Sequence, residues 1–229
     1  MTNEKMLNNL YAVLNLLEES DKQAAETIIN SGTKYPNLED FIHVKLANLI
    51  LEVREDLYKE TAKAGGKSAA LSAVKKVIKK SSEIDKGINM CAMENDMQYF
   101  CDGVRMLKLA GSDKLPIDIP YNPKHANFGF EGVIPHDTSD ELELPEVQYL
   151  KAYIKENKAM NKTTNSYKGK YVKYDFGDGK PAVNAEYLLT IMEVLPKARA
   201  YMTNGVQAVI KFVTDTESTG LLIPVRKIV

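Results

Sequence analysis

Residues 184 to 225 constrain the fold more than any other stretch of this sequence. Asn184 precedes AEYLLTIMEVL, an apolar-rich helical run that Pro196 terminates. Asparagine is a favoured helix N-cap, and the residue before a proline avoids the helical region. Three apolar runs follow, RAYMT, QAVIKFV and GLLIPVRK, separated by Asn204-Gly205 and by TDTEST. Asn-Gly between apolar runs is the strongest short-range hairpin signal. The stretch therefore predicts a capped helix followed by a three-strand antiparallel meander. Pro224 stops the last strand because it has no N–H for the ladder.

The preceding residues use the same elements. SAALSAVKKVIKK, beginning at Ser68, reads as a helix. GINMCAM and MQYFCDG read as strands joined by a hairpin at Glu94-Asn95-Asp96. Residues 111 to 145, rich in proline and glycine, predict short extended pieces and loops. LPEVQYLKAYIKENKAM is a second helix, and YVKYDF is a strand that ends in the Gly177-Asp178-Gly179 turn.

Residues 4 to 62 differ, since they read as helix throughout. Leu7, Leu10, Leu14 and Leu17, then Leu46, Leu49, Ile50 and Val53, recur at helical spacing. SGTKYPNLED divides two helices, with Asn37 as the N-cap of the second and Glu39 and Asp40 in its first turn. AKAGGKS separates this segment from the rest. Its GKS string lacks the earlier glycine and the preceding strand that a phosphate loop needs. The glycines instead end one helix and release the next. The expected organisation is α+β: a helical extension over residues 1–64, then a mixed domain over 65–229.

Charge narrows the function classes. Residues 1 to 64 carry seven Lys/Arg against eleven Asp/Glu, a net of −4, and residues 65 to 110 carry eight against five, a net of +3. No window reaches the length of a membrane span, and the N-terminal residues lack the features of a signal peptide. Cys91 and Cys101 make no disulfide framework, so the expected compartment is the cytoplasm. His43, His125 and His136 show no metal-ligand spacing, and no nucleophile elbow, dinucleotide fingerprint or zinc pattern occurs. No catalytic residue, metal or cofactor is expected.

Basic residues recur at helical spacing in two places. Lys75, Lys76, Lys79 and Lys80 lie opposite Leu71, Val74 and Ile78, while Lys151, Lys155, Lys158 and Lys162 step by four, three and four. Such stripes either form solvated faces or meet the phosphates of double-stranded DNA without reading its sequence.

The order of these motifs resembles the bacterial DNA polymerase III sliding clamp, the beta subunit. Asn184, Tyr187, Leu188 and Leu189, then Leu221 to Arg226, match the family's terminal helix and its apolar-Pro-apolar-Arg tail. Asp102, Gly103, Val104, Arg105 and Met106 match its Asp-Gly-x-Arg-Leu corner. The resemblance covers about residues 68 to 228 and implies a DNA-clamp fold, with helices on one side of antiparallel sheets facing DNA. It also implies a non-enzymatic role in replication, tethering a DNA polymerase or another replication protein. The partner's peptide would dock against Gly103, Arg105 and Met106 on one wall and Ile223, Pro224, Val225 and Arg226 on the other. Arg105 or Arg226 would hold a peptide carbonyl or carboxylate. In the family the two walls come from neighbouring domains, whereas this chain has room for one domain, so a ring would need several copies. The third helix also carries Glu186 and Glu193 instead of lysines. A lone clamp-like domain with a helical arm suggests a phage or mobile-element product. The alternative reading is an adaptor or inhibitor that keeps the clamp fold without encircling DNA.

Overall fold

The computed structural model describes residues 2–84, 90–119, 129–163, 171–204 and 209–225, with residues 82–84 and 161–163 as backbone only. The first helical stretch is two helices, α1 (Asn3–Leu14) and α2 (Glu19–Ser31), where the leucine spacing predicts one. One unbroken helix of that length would span about 40 Å, and its two halves could not both lie along a third helix. Breaking after Leu14 folds Leu14, Ala25 and Ile29 into one apolar cluster with Leu46, Ala47 and Ile50 of α3 (Ile42–Ala64). Burial of apolar area outweighs local periodicity here.

The predicted cap of α3 is also displaced. Asn37 sits inside a short 3-10 turn, Pro36–Leu38, and α3 begins after Phe41, which makes no side-chain cap. The ordering polar group is Asn48, 3% exposed, which accepts from the Tyr35 N–H at 3.1 Å and donates to Glu39 at 3.1 Å. Asn48→Ala leaves both partners unpaired and should lower stability by about 1–3 kcal/mol, measurable by urea unfolding.

Gly66, at φ +68, turns the chain from α3 into α4 (Ser68–Ile84), the junction expected of the AKAGGKS string. Lys67 donates its ammonium to the carbonyls of Ser112 and, at 2.8 Å, Lys114. The lysine of GKS is therefore spent on pinning a loop. Further contacts hold α3 to the mixed domain: Arg54 and Tyr58 reach Asp118 at 2.7 and 2.6 Å, and Glu55 reaches Lys75 at 2.9 Å. Burial, and then the Asp118 carboxylate, push the Tyr58 phenol well above its ordinary pKa.

Seven strands form one antiparallel sheet. In chain order they are β1 (Met90–Glu94), β2 (Met97–Cys101), β3 (Arg105–Leu109), β4 (Glu141–Leu142), β7 (Arg199–Met202), β8 (Ile210–Val213) and β9 (Thr219–Leu222). A separate pair, β5 (Lys173–Asp175) and β6 (Ala182–Asn184), forms across the Gly177–Gly179 turn. The large sheet runs β1-β2-β3-β9-β8-β7-β4. Asn95 and Asp96 both have positive φ, so the first hairpin closes on a tight two-residue turn of the kind that follows strand twist. The expected meander is present as β7-β8-β9. Its first connection is longer than a two-residue Asn-Gly turn, since Thr203 already pairs with Val209; Gly205 lies outside the described residues.

Two units of one helix and three strands thus meet at the β3–β9 pair: α4 with β1-β2-β3, and α6 (Ala185–Val194) with β7-β8-β9. Asn184 caps α6 as predicted, accepting from the Glu186 N–H at 2.9 Å. Strand alternation sorts the two faces of the sheet. Phe100, Leu107, Leu109, Phe212 and Leu222 join the core formed with α4, α6 and α5 (Val147–Thr163). Tyr99, Met106 and Leu221 face the other way, beneath Phe130, whose ring stacks on Tyr99 at 4.8 Å.

Candidate partner cavity and lysine face

The turn from β2 to β3 is built around one carboxylate. Asp102 Oδ1 accepts from the N–H groups of Val104 and Arg105 at 3.1 and 2.8 Å, and Gly103, between Asp102 and Val104, takes φ +79. Asp102 Oδ2 accepts from Arg105 Nε at 2.9 Å and Nη2 at 2.6 Å. Arg105 Nη1 donates to Thr190 Oγ1 of α6 at 2.8 Å, and the guanidinium stands 4.1 Å from the centre of the Tyr187 ring. Asp102 is fully buried and Arg105 is 4% exposed.

This geometry corrects the expected role of Arg105. Its side chain shares the helix-facing side of β3 with Leu107 and Leu109, whereas Met106 points to the opposite side. A guanidinium committed to Asp102, Thr190 and Tyr187 is not available to a peptide carboxylate. Its function is to lock the corner onto α6.

On the outer side of the sheet the corner and the last strand do come together. A cavity of about 230 Å³ lies between Gly103, Val104 and Met106 on one side and Leu221 and Ile223 on the other. Val133, Pro135 and Val209 complete its apolar wall, with Cys101 at its edge. Arg105 borders it too, although its charged end lies on the helix side. Ile223 is 44% exposed and is held in place by its N–H, which donates to Val104 O at 3.0 Å. Pro224 and Val225 are half-buried and lie outside the lining; the Val225 N–H instead donates to Ala182 O of β6 at 2.8 Å. They stitch the tail down and do not wall the cavity. Arg226 lies outside the described residues.

Alternation along β9 would have added Leu221 to the predicted wall. Val133, Pro135 and Val209 carry no such local signal, because separate connections deliver them. Burial raises the Cys101 thiol and pushes Cys91 up to about 12, so neither sulfur is poised as a nucleophile.

The lysines divide. Helix α6 packs against both α4 and α5, so its carboxylates stand between the two stripes. Lys151 pairs with Glu193 at 2.7 Å, and Lys158 pairs with Glu186. Lys75 turns to Glu55 of α3, whose carboxyl the Lys75 hydrogen bond holds below its usual range. Lys76 and Lys80 are exposed and border a cavity of about 260 Å³ against Tyr187, Thr190 and the two glutamates. Lys79 and Lys155 are exposed, and the Lys162 side chain lies outside the described residues. The two stripes therefore do not merge into one uninterrupted cationic face.

Catalytic geometry does not emerge from the histidines. His43 reaches Asp21 at 3.1 Å, His136 is exposed, and His125 lies outside the described residues. Among the described residues no group of three or more His, Cys, Asp or Glu could hold a metal ion, and no helix is long and apolar enough to cross a membrane. The chain matches no protein-family model, no curated protein and no solved structure.

Proposed function

We propose that this chain is a clamp-like, non-enzymatic DNA replication accessory protein that holds a partner peptide and DNA through opposite sides of its sheet. One observation carries the reading. The Asp102–Met106 corner and the Leu221–Ile223 strand end border a single apolar cavity, and they come from two helix-plus-three-strand units joined at β3–β9. An open apolar cavity beside a sheet suits an extended peptide with bulky side chains. Its occupant is a segment of a DNA polymerase or another replication protein.

DNA contact falls to Lys76, Lys80 and Lys155, which are exposed and lie outside the ion pairs that Glu55, Glu193 and Glu186 make with Lys75, Lys151 and Lys158. Retention on closed circular DNA, lost on linearisation, tests encirclement, and the solution mass tests whether several copies assemble. A chain that stays monomeric with and without DNA, and leaves closed circles as readily as linear ones, rules the ring out. Lys76→Glu with Lys80→Glu should weaken DNA binding at least about tenfold at low salt, since each phosphate contact contributes to the salt-dependent term. A salt titration that superimposes on that of the parent protein returns these lysines to solvation.

A second reading is favoured by the ion pairs. Lys75, Lys151 and Lys158 are neutralised by Glu55, Glu193 and Glu186, which suits an adaptor or inhibitor of phage or mobile-element origin that keeps the fold without encircling DNA. Peptide binding without any DNA retention would establish it over the first.

A further inference from the structure

The free end of the helical arm concentrates two features that seldom coincide. Of the twelve large apolar side chains exposed among the described residues, six lie between positions 13 and 42: Val13, Leu16, Tyr35, Leu38, Phe41 and Ile42. Leu16 is 84% exposed and Ile42 66%. The same stretch holds six acidic residues (Glu18, Glu19, Asp21, Glu26, Glu39, Asp40) against two lysines (Lys22, Lys34), a net of −4. Residues 1 to 64 carry eleven acidic and seven basic residues, so this stretch accounts for the whole excess.

The helix arrangement gathers these residues in space. Asn3 bonds to Glu60, so α1 runs antiparallel to α3, and Asp21 pairs with His43, so α2 starts beside the start of α3. Leu16 in the α1–α2 turn and Phe41 and Ile42 at the head of α3 therefore share one end of the arm. Leu14 and Leu46 pack in the cluster beneath them. The exposed carboxylates of Glu18, Glu19 and Asp40 flank the apolar tip. The arm is anchored to the mixed domain by Arg54 and Tyr58, twelve and more residues along α3 from Ile42, which is about 18 Å of helix.

We infer that this tip is a docking surface for a basic amphipathic helix of a partner protein. The apolar stripe of such a helix would cover Leu16, Phe41 and Ile42, and its flanking lysines or arginines would meet the acidic rim. The charge selects this occupant, since a phosphate backbone or an anionic lipid surface is repelled by a net −4. A second copy does not supply it either: the lysine-bearing helices α4 and α5 bury their apolar faces, including Val74, Leu150 and Ile154, in their own core. The surface is independent of the clamp-like reading, because none of its residues belongs to the cavity or the lysine stripes.

The probe is a fluorescein-labelled synthetic helix of about 14 leucines and lysines at amphipathic spacing, titrated by anisotropy with the full chain. Binding is expected to weaken at least about tenfold between roughly 50 and 500 mM NaCl. It should weaken at least about tenfold again in Leu16→Asp with Phe41→Asp. Both positions are solvent-exposed, and an unchanged circular dichroism melt will confirm that the variant folds. Glu18→Lys with Asp40→Lys should weaken binding without touching the apolar groups. Three results overturn the inference: no binding, equal affinity for the variants, or equal binding of a leucine–glutamate helix. Concentration-dependent self-association that disappears in the Leu16/Phe41 variant would also overturn it, by assigning the tip to a second copy.

Discussion

Asp102→Ala should lower the unfolding free energy by about 3–5 kcal/mol, the usual cost of breaking a buried ion pair from one side. The substitution removes more than a charge. Asp102 accepts from two backbone N–H groups of its own turn and from two nitrogens of Arg105. Its loss takes the Asp102 acceptor from the two N–H groups and leaves a 4% exposed guanidinium with Thr190 and the Tyr187 ring. Asp102→Asn keeps an acceptor for the turn and should cost less. Urea unfolding of the two variants separates the charge from the turn. If Asp102→Ala unfolds at the parent midpoint, the corner is not the lock described above. If Asp102→Ala remains folded, the peptide binding proposed for the cavity should weaken as well, because Gly103, Val104 and Met106 are positioned by this turn.

Gly220→Ala is the second large effect expected, a loss of about 1–3 kcal/mol from overpacking. Gly220 of β9 faces α6, and a Cβ there would stand 2.9 Å from Ile191 Cγ2 and 3.3 Å from both Leu195 Cδ1 and Phe212 Cβ. Ile191 is fully buried and stiff at its branched carbon, so it cannot rotate aside cheaply. Glycine at this point lets the helix lie close to the strand that joins the two halves of the sheet. Thermal unfolding of the alanine variant measures the effect, and Gly220→Ala with Ile191→Leu should recover part of it, because leucine lacks the Cγ2 methyl that the new Cβ meets. An alanine variant as stable as the parent would mean that α6 can lift from the sheet without cost.

The contrast between these two sites shows how legibility varied along the chain. The Asp102–Met106 corner was visible as a motif, and so was its place at the end of a strand. The direction of Arg105 was also available, because alternation with Leu107 and Leu109 puts it on the core side. Reading the motif as a peptide-binding arginine overrode that simpler geometry. Gly220 gave no signal at all, since its requirement comes from Ile191 and Leu195, which stand well back in the sequence.

The lysine stripes carry the same lesson. Spacing placed Lys151, Lys155 and Lys158 on one side of a helix, and their exposure agrees. Spacing is silent about neighbours, and it could not bring Glu186 and Glu193 of α6 to the α5 lysines, or Glu55 of α3 to Lys75.

By itself the sequence determined the elements whose causes are local. These are the Asn184 cap and its helix, the tight turn at Asn95-Asp96, the β7-β8-β9 meander and the Gly66 junction. Each depends on backbone preferences and side-chain period over a few residues. Tertiary structure alone decided the break between α1 and α2, the joining of the two strand triplets at β3–β9, and the closing of the cavity by Val133, Pro135 and Val209. Those outcomes depend on which apolar faces find one another across long separations, and no local pattern records that choice.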